Sequence, residues 1–333
     1  MSCERNDPGP VFPASSGSIF NGNGMFIMNE GNYTRGNGSV SFFSSDSGRI
    51  YNNIFSSVNF RSPGDIPFSF LITGDTGFIV VNNSGKIEMV EISSMKSLKT
   101  TTSLISPRYI LEVGHETGYI SNLYSSRISI IDIRTGNLKG SIEIGMSSEM
   151  MLMTRGKVYA ASWSGGNKIV VIDPDNHSVI KTIQVTKEPE SMVVDKLLRL
   201  WVLCSGGYLG DDNPALICID THTDEIVSHH LLPQGSYPTS LRINSQSDTL
   251  FFINNGIYRM EIDAAVVPLS PVVESKGRNF YRLEPSPVKG DIFVTDAVDY
   301  QGKGFLLLYD SGGNLKGEWE AGIIPGNITT KYK

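Results

Sequence analysis

One short motif recurs seven times along the chain, and this recurrence constrains the fold more than any other feature of the sequence. Each copy has the length of a strand, begins with apolar and mostly aromatic residues and usually ends with a polar residue, as buried β-strands do. The copies occupy residues 25–29, 78–82, 118–122, 158–162, 200–204, 250–254 and 292–296. A period of about 40 to 50 residues is typical of propellers and solenoids.

A second apolar run follows each motif and often ends with a carboxylate before a turn. The carboxylates are Asp132, Asp173, Asp220, Asp263 and Asp310, with Glu91 and Ser44 at the equivalent points of the other two repeats. A carboxylate at this position can accept hydrogen bonds from the backbone N–H groups of the turn. We therefore interpret these aspartates as structural.

A third element precedes the aromatic strands, usually as a proline followed three residues later by an apolar residue. These segments are 67–70, 107–110, 189–192, 238–241 and 325–328, while 148–151 and 280–283 complete the pattern without proline. Proline suits the first residue of a strand, where its missing N–H interrupts no ladder. We predict that these segments form the innermost strands of the sheets.

The two strand sets are out of phase, and this phase shift predicts how the chain closes. The aromatic strand at 25–29 has no innermost strand before it, and the segment at 325–328 has no aromatic strand after it. The two ends therefore complete one sheet together, which removes exposed strand edges. The sequence predicts an all-β fold over residues 18–333: a seven-bladed β-propeller with four-stranded antiparallel blades, whose C-terminal strand joins the N-terminal blade.

Composition argues against several classes of protein. The net charge is −6 and the 28 lysines and arginines are scattered, so we expect no nucleic-acid partner. The 34 glycines and 16 prolines, with only 19% charged residues, disfavour long surface helices. No apolar stretch reaches the ~18 to 20 residues needed to span a bilayer.

The three cysteines are too few for a disulfide framework. Cys204 and Cys218 lie in two apolar runs joined by residues 205–213, and hairpin pairing would place Cys204 near Pro214 and Cys218 near Leu200. We expect two separate thiols in the core.

Cys3 lies at the start of a polar segment rich in Pro, Gly and Ser, which predicts a tether over residues 1–17. The pair Ser2-Cys3 resembles the junction between signal peptide and lipidated cysteine in bacterial lipoproteins. This resemblance implies lipidation of Cys3 and a location at the cell surface or outer membrane, with membrane contact only through the lipid anchor. An unmodified cysteine is the alternative.

Aromatic residues concentrate on one face of the predicted ring, here called the aromatic face. In a four-stranded blade, this face carries the loop between the second and third strands and the link to the next blade. Its predicted ligand-binding residues are Tyr33, Arg35, Phe60, Arg61, Arg108, Tyr124, Trp163, Tyr208, Tyr237, Tyr281 and Tyr300. Aromatic rings around a mouth suit a flat or bulky ligand such as a sugar, a macrocycle or a protein loop. Alternatively, some of these rings pack against neighbouring loops.

Catalytic groups are sparse by comparison. His115, His177 and His222 map to the opposite face, and the chain has no Gly-x-Ser-x-Gly, phosphate-loop or CxxC motif. Glu149 and Glu190 begin adjacent innermost strands, where they can act as an acid and base pair or stand as solvated carboxylates.

The long loop 205–213 carries three polar residues that invite a comparison with cation sites. Asp211, Asp212 and Asn213 lack the alternating ligand spacing of a calcium loop. We predict no catalytic residue, no cofactor and no metal site.

The repeat resembles the YVTN-type propeller repeat, of which Phe-Ile-Val-Val-Asn at 78–82 and Ile-Phe-Val-Thr-Asp at 292–296 are degenerate copies. The resemblance covers roughly residues 18–333, and propellers of this type include binding proteins, lyases and lactonases. With Cys3 and its tether, the chain is similar to surface lipoproteins of gut anaerobes, some of which capture cobalamin and pass it to an outer-membrane transporter.

That resemblance implies a non-catalytic binder of a large small molecule, a corrinoid, with an outer-membrane transporter as partner. Two alternatives remain open from the residues themselves. One is glycan or protein adhesion through the aromatic face, and the other is a lyase or hydrolase that uses Glu149 and Glu190.

Overall fold

Seven four-stranded antiparallel sheets form the blades of a β-propeller in the computed structural model, which describes residues 20, 22–287 and 290–332. The predicted fold class is therefore confirmed. In chain order the strands are β1 (Gly24–Asn29), β2 (Ser39–Ser44), β3 (Arg49–Tyr51), β4 (Pro67–Thr73), β5 (Thr76–Val81), β6 (Lys86–Glu91), β7 (Ser97–Thr101), β8 (Pro107–Gly114), β9 (Thr117–Asn122), β10 (Arg127–Asp132), β11 (Leu138–Glu143), β12 (Met151–Thr154), β13 (Lys157–Ala161), β14 (Lys168–Asp173), β15 (Ser178–Gln184), β16 (Pro189–Val194), β17 (Arg199–Cys204), β18 (Ala215–Asp220), β19 (Glu225–Leu231), β20 (Thr239–Ile243), β21 (Thr249–Ile253), β22 (Gly256–Glu261), β23 (Val273–Glu274), β24 (Phe280–Pro285), β25 (Ile292–Asp296), β26 (Lys303–Tyr309), β27 (Leu315–Ile323) and β28 (Pro325–Lys331), and one short helix, α1, spans Ile54–Asn59.

The blades follow the chain except at its ends. Blade 1 has the order β28-β1-β2-β3, and blades 2 to 7 each use the next four strands, from β4–β7 to β24–β27. Strand β28 pairs antiparallel with β1, with Gly24 opposite Lys331 and Ile27 opposite Ile328. The predicted closure by the C-terminal strand is confirmed, and it leaves the inner edge of blade 1 covered.

The innermost strands are β28, β4, β8, β12, β16, β20 and β24, as the proline-led segments predict. Two boundaries differ from the prediction. Strand β12 begins only at Met151, the last residue of segment 148–151, and β20 begins at Thr239 rather than at Pro238.

The core is divided into seven apolar clusters, one between each pair of adjacent blades among the described residues. Between blades 1 and 2, for example, Phe26 packs against Phe42 and Phe70, with ring centroids 4.8 and 5.1 Å away. The aromatic motifs are buried because both faces of each sheet are covered by neighbouring blades. Continuous apolar strands are expected in that environment, rather than an apolar–polar alternation.

Four of the five predicted aspartates have the expected structural role, whereas Asp263 lies beyond the end of β22, at Glu261, and accepts no turn N–H among the described residues. Asp132, Asp220 and Asp310 each accept a hydrogen bond from a backbone N–H of the following turn, at 2.7 to 2.9 Å. Asp173 does the same with the N–H of Asp175 at 2.9 Å.

The two core cysteines are free and buried, as predicted, but their predicted register is wrong by one residue. Cys204 pairs with Ala215 rather than Pro214, and Cys218 pairs with Trp201 rather than Leu200. Pro214 has no N–H to donate to the ladder, and β18 begins directly after it. Burial raises the pKa of the Cys218 thiol to about 11.

The predicted tether at 1–17 and its Cys3 lie outside the described residues. Across 20, 22–287 and 290–332, no helix is long and apolar enough to cross a membrane.

Candidate ligand-binding face

Strand order places the loops between second and third strands, and the links between blades, on the same face, which carries the predicted aromatic residues. Four of its predicted rings project almost fully into solvent, with exposed fractions of 69% for Tyr33, 93% for Phe60, 74% for Tyr124 and 84% for Tyr208. Large apolar groups exposed together on one face of a protein mark interaction sites more often than scattered ones do. This face is therefore the first candidate for ligand contact.

Phe60 is held outward by its backbone. It follows α1 directly, with φ 54° and ψ 27°, and its N–H donates to the Ser56 carbonyl oxygen at 2.9 Å. Ile54 and Phe55, in the first turn of the same helix, are buried. A bulky residue in the left-handed region is uncommon and unfavourable, and such positions concentrate at functional sites.

At the mouth of the central channel, Arg108 is fully engaged with Glu149. Its Nε donates to Glu149 Oε2 at 2.8 Å and its Nη2 donates to Oε1 at 2.7 Å. The guanidinium carbon lies 3.4 Å from the ring centroid of Phe68 and 5.7 Å from that of Trp163. Arg108 and Glu149 are both buried, so this predicted binding residue connects blades 3 and 4.

Glu190, the other half of the suggested acid and base pair, has different partners. It accepts a hydrogen bond from the Ser240 N–H at 2.8 Å, and its Oε1 lies 3.6 Å from Arg282 Nη1. The structure thus provides each glutamate with its own arginine.

A third carboxylate at the channel mouth was missed by the sequence analysis. Tyr281 donates from its hydroxyl to Glu30 Oε1 at 2.8 Å, and the Arg282 guanidinium carbon lies 4.5 Å from the Tyr281 ring centroid. Burial raises the pKa of Glu30, against the lowering effects of Arg282 and Tyr281. The available signal was its position directly after a buried motif strand, which places it near the channel.

Three predicted residues meet in one cavity on the aromatic face, here called the blade 6/7 cleft. Tyr237, Tyr281 and Tyr300 line this cleft, which has a volume of about 310 Å³. The rings of Tyr281 and Tyr300 are nearly perpendicular, with centroids 5.7 Å apart. The remaining lining residues are Thr239, Ile253, Asn255, Gly256, Ser275, Arg278, Asn279, Phe280 and Arg282.

The cleft exists because the outermost strand of blade 6 is short. Strand β23 has two residues, whereas the equivalent strand of blade 5, β19, has seven. Pro271 precedes β23 and cannot donate to a ladder. Only Gly256 and Ile257 of β22 find strand partners in β23, which leaves space beside the link into blade 7.

Arg278 and Asn279, in that link, were also missed. Arg278 contacts Asp296 at 3.2 Å and Glu318 at 2.8 Å on the side of blade 7. The sequence signal was the dense polar and aromatic run from 278 to 282.

Arg61 and Arg35 lie apart from the cleft, whereas Tyr237 lies at its edge. Arg61 donates to both carboxylate oxygens of the fully buried Glu88, at 2.7 and 2.8 Å, so it supports blade 2. Arg35 is exposed on the loop between β1 and β2. Tyr237 donates to Glu188 at 2.9 Å, which orients its ring at the edge of the cleft.

The long loop between β17 and β18 uses its carboxylates internally. Asp211 forms an ion pair with Lys187, and Asp212 accepts a hydrogen bond from the Lys187 N–H at 3.3 Å. Within the described ranges, no cluster of three or more His, Cys, Asp or Glu residues could hold a metal ion. His177, on the opposite face, lies 2.6 Å from the Tyr119 hydroxyl.

Fold and site together define a seven-bladed β-propeller with one aromatic face and a ligand-sized cleft between two of its blades. A family model described as a domain of unknown function, DUF5074, matches residues 23–312, and the chain belongs to this family. No curated protein sequence matches the chain.

Several solved structures share the fold at low sequence identity. A quinonprotein alcohol dehydrogenase-like protein from Bacteroides thetaiotaomicron is 12% identical with a TM-score of 0.72, over 93% of this chain and 78% of that one. A protein from Lactobacillus plantarum is 12% identical with a TM-score of 0.71, over 93% and 99%. Virginiamycin B lyase from Staphylococcus aureus is 13% identical with a TM-score of 0.61, over 76% and 83%. At such identities the likeness establishes the fold alone.

Proposed function

We propose that this chain is a non-catalytic binding propeller, anchored by lipid at the cell surface, that captures cobalamin or another corrinoid for an outer-membrane transporter. The observation that carries the proposal is a set of exposed rings on one face of the ring, on which the charged groups at the channel mouth are engaged with one another. Such a surface favours holding a ligand over transforming it.

The bonding of the channel-mouth glutamates supports binding rather than catalysis. General acid–base catalysis requires a carboxyl group within hydrogen-bond reach of the proton it transfers. Glu149 is buried and receives three hydrogen bonds from Arg108, and Glu190 already accepts from the Ser240 backbone. A substrate would have to displace these internal donors before either glutamate could act on it.

The distribution of the exposed rings supports a wide ligand. Tyr33, Tyr124 and Tyr208 belong to blades 1, 3 and 5, and Phe60 lies between blades 1 and 2. A ligand that contacts more than one of these loops must therefore extend across several blades. A corrin ring is flat and largely apolar at its faces, so it matches rings that bury large areas with few rotatable bonds.

Titration of the purified chain with cobalamin, followed by heat and by the visible absorption band, tests the ligand. We expect binding at micromolar concentration or tighter. The triple variant Tyr33→Ala, Tyr124→Ala, Tyr208→Ala should bind at least about tenfold more weakly, because clustered aromatic contacts dominate such interfaces. The matched control His115→Ala, His222→Ala changes only the opposite face. No signal from the native chain at micromolar concentration would refute the corrinoid, and glycan-array binding instead would favour adhesion.

The lipid anchor and location require a separate test, because they depend on the resemblance at Ser2-Cys3. The native protein should be recovered from the membrane fraction with a lipid mass on Cys3, and Cys3→Ala should release it. Recovery of unmodified Cys3 from that fraction would contradict the anchor.

A further inference from the structure

We propose that the blade 6/7 cleft is a distinct subsite for a small, flat, π-rich ring that carries a carboxylate or phosphate group. This site is smaller than the face assigned to the corrinoid, and the inference does not depend on that assignment. A volume of about 310 Å³ is near the lower end of pockets that hold small molecules, so it admits one or two fused rings and no macrocycle.

The charge of the lining favours an anion. Two arginines, Arg278 and Arg282, line the cleft, and none of the described lining residues is acidic. Among the described residues, Arg282 uses only Nη1 on protein partners, at 3.1 Å from the Tyr281 carbonyl oxygen and 3.6 Å from Glu190. Its Nε and Nη2 donors therefore stay available, and the guanidinium fork matches a carboxylate or phosphate.

The acidic partners of Arg278 belong to blade 7 and do not line the cleft. Its Nη1 donates to Asp296 at 3.2 Å and its Nη2 donates to Glu318 at 2.8 Å. These bonds orient the guanidinium group. Its Nε is left for a ligand, and a fixed donor in a partly dry site binds an anion better than a mobile surface lysine does.

The tyrosines supply the walls for a flat ring. Tyr237 and Tyr281 direct their hydroxyl groups away into the protein, to Glu188 at 2.9 Å and to Glu30 at 2.8 Å. Their rings are thereby fixed at the cleft. Aromatic rings pair with one another in offset or edge-to-face arrangements at centroid distances of about 4.5 to 7 Å.

Tyr300 adds an independent sign of function. Its φ is 58°, in the left-handed region, and its N–H donates to the Ala297 carbonyl oxygen at 2.9 Å. A half-exposed tyrosine in this conformation is unfavourable and persists where the surroundings hold it. Here the turn holds the Tyr300 ring against Tyr281, at the wall of the cleft.

Titrations of the full chain with four probes test the proposal: benzoate, phenyl phosphate, benzamide as the neutral analogue, and inorganic phosphate without a ring. We expect one or both aryl anions to bind at least tenfold more tightly than benzamide and than inorganic phosphate. Comparison of benzoate with phenyl phosphate identifies the anionic group. Equal binding of benzamide and the aryl anions would overturn the proposal.

Variants locate the binding. Tyr300→Ala should weaken binding of the preferred aryl anion about tenfold. The control Leu269→Ala, which removes an exposed apolar side chain from the loop between β22 and β23, should not. Arg278→Gln should weaken binding of the aryl anions and leave binding of benzamide unchanged. If Arg278→Gln does not fold, Asn255→Ala replaces it. We then expect weaker binding of the aryl anion. Unchanged binding in Tyr300→Ala would refute the site, and a failure of cobalamin to bind would not alter any of these outcomes.

Discussion

The boundary between blades 3 and 4 and the boundary between blades 6 and 7 place similar residues on the same face with opposite results. At the first, Arg108 is buried, stacked on Phe68 and held by Glu149 through three hydrogen bonds. At the second, the Arg282 side chain is about as buried, 12% exposed against 10% for Arg108, but it lines the cleft and its nearest carboxylate, on Glu190, is 3.6 Å away.

The difference lies in the partner that each arginine can reach. Glu149 comes from the adjacent blade and presents both oxygens to the guanidinium fork of Arg108. Glu190 comes from blade 5, two blades away from Arg282, and is already bonded to the Ser240 backbone. An arginine beside an aromatic ring thus stabilises the fold in one place and remains available to a ligand in the other.

Removal of residues 325–333 should have the largest effect, because it deletes the strand that keeps both boundaries within one closed ring. Strand β28 pairs with β1 and contributes Ile328 to the cluster between blades 7 and 1. We expect a lower melting temperature than for any substitution discussed below, measured by circular dichroism. A truncated chain that melts with the native one would show that closure does not stabilise the ring.

Glu149→Ala should be the most damaging single substitution at the channel mouth. It leaves the Arg108 charge buried without its partner, a loss of about 3–5 kcal/mol in the free energy of unfolding by urea. Glu190→Ala serves as the comparison, and we expect a loss of about 1–3 kcal/mol because it removes a single close hydrogen bond. The double variant Arg108→Met, Glu149→Leu should recover most of the loss. Equal losses in the two single variants would contradict the contrast between the boundaries.

The direction in which stability changes with pH should reveal the contribution of Glu30. Burial raises the pKa of Glu30 above the usual 4.5. At a pH between the unfolded and the folded pKa, the folded protein therefore holds a proton that the unfolded chain releases. Glu30 therefore favours the fold at low pH and loses that contribution as the pH rises. Relative to the native chain, Glu30→Gln should become more stable as pH increases from about 4 to 7.

Glu143→Gln is a control of opposite sign for that experiment. Hydrogen bonds from Ser126 and from the Gly145 N–H lower the pKa of Glu143, so its ionised form favours the fold above the usual pKa. This variant should lose stability relative to the native chain as the pH rises. Parallel pH profiles for the two variants would exclude the role given to Glu30.

The smallest effects should come from the exposed rings. Tyr124→Ala should change the free energy of unfolding by less than about 0.5 kcal/mol, as surface substitutions usually do. Phe60→Gly should raise it by up to about 1 kcal/mol, because glycine adopts the left-handed conformation without strain. Urea denaturation measures both. A clear loss of stability in Phe60→Gly would show that this ring supports the fold.

The sequence predicted the ring because its evidence is periodic. Seven motif strands and seven innermost segments, one step out of phase, determine both the blade number and the pairing of β28 with β1. Burial on both sheet faces makes such strands easy to recognise. The face of each loop then follows from strand order alone.

The cleft could not be predicted in the same way, because it depends on an irregularity. The two-residue β23 has no periodic signal, and the access to Arg282 depends on the distance to a carboxylate from another blade. The hairpin register of Cys204 shifted for a local reason of the same kind, a proline at the start of a strand. Which charged residues pair with each other depends on distances in the folded chain, and these distances cannot be read from a single sequence.

Closure by the last strand also determines the order in which the blades can be completed during synthesis. Strand β1 leaves the ribosome early, and its inner edge has no partner until β28 is made roughly 300 residues later, which at about 5–20 residues per second is about 15–60 s. During that interval the backbone of β1 and apolar residues such as Phe26 remain open to pairing with other chains. The first blade to be synthesised is thus the last to be finished, and the chain is most vulnerable to aggregation just before its final strand arrives.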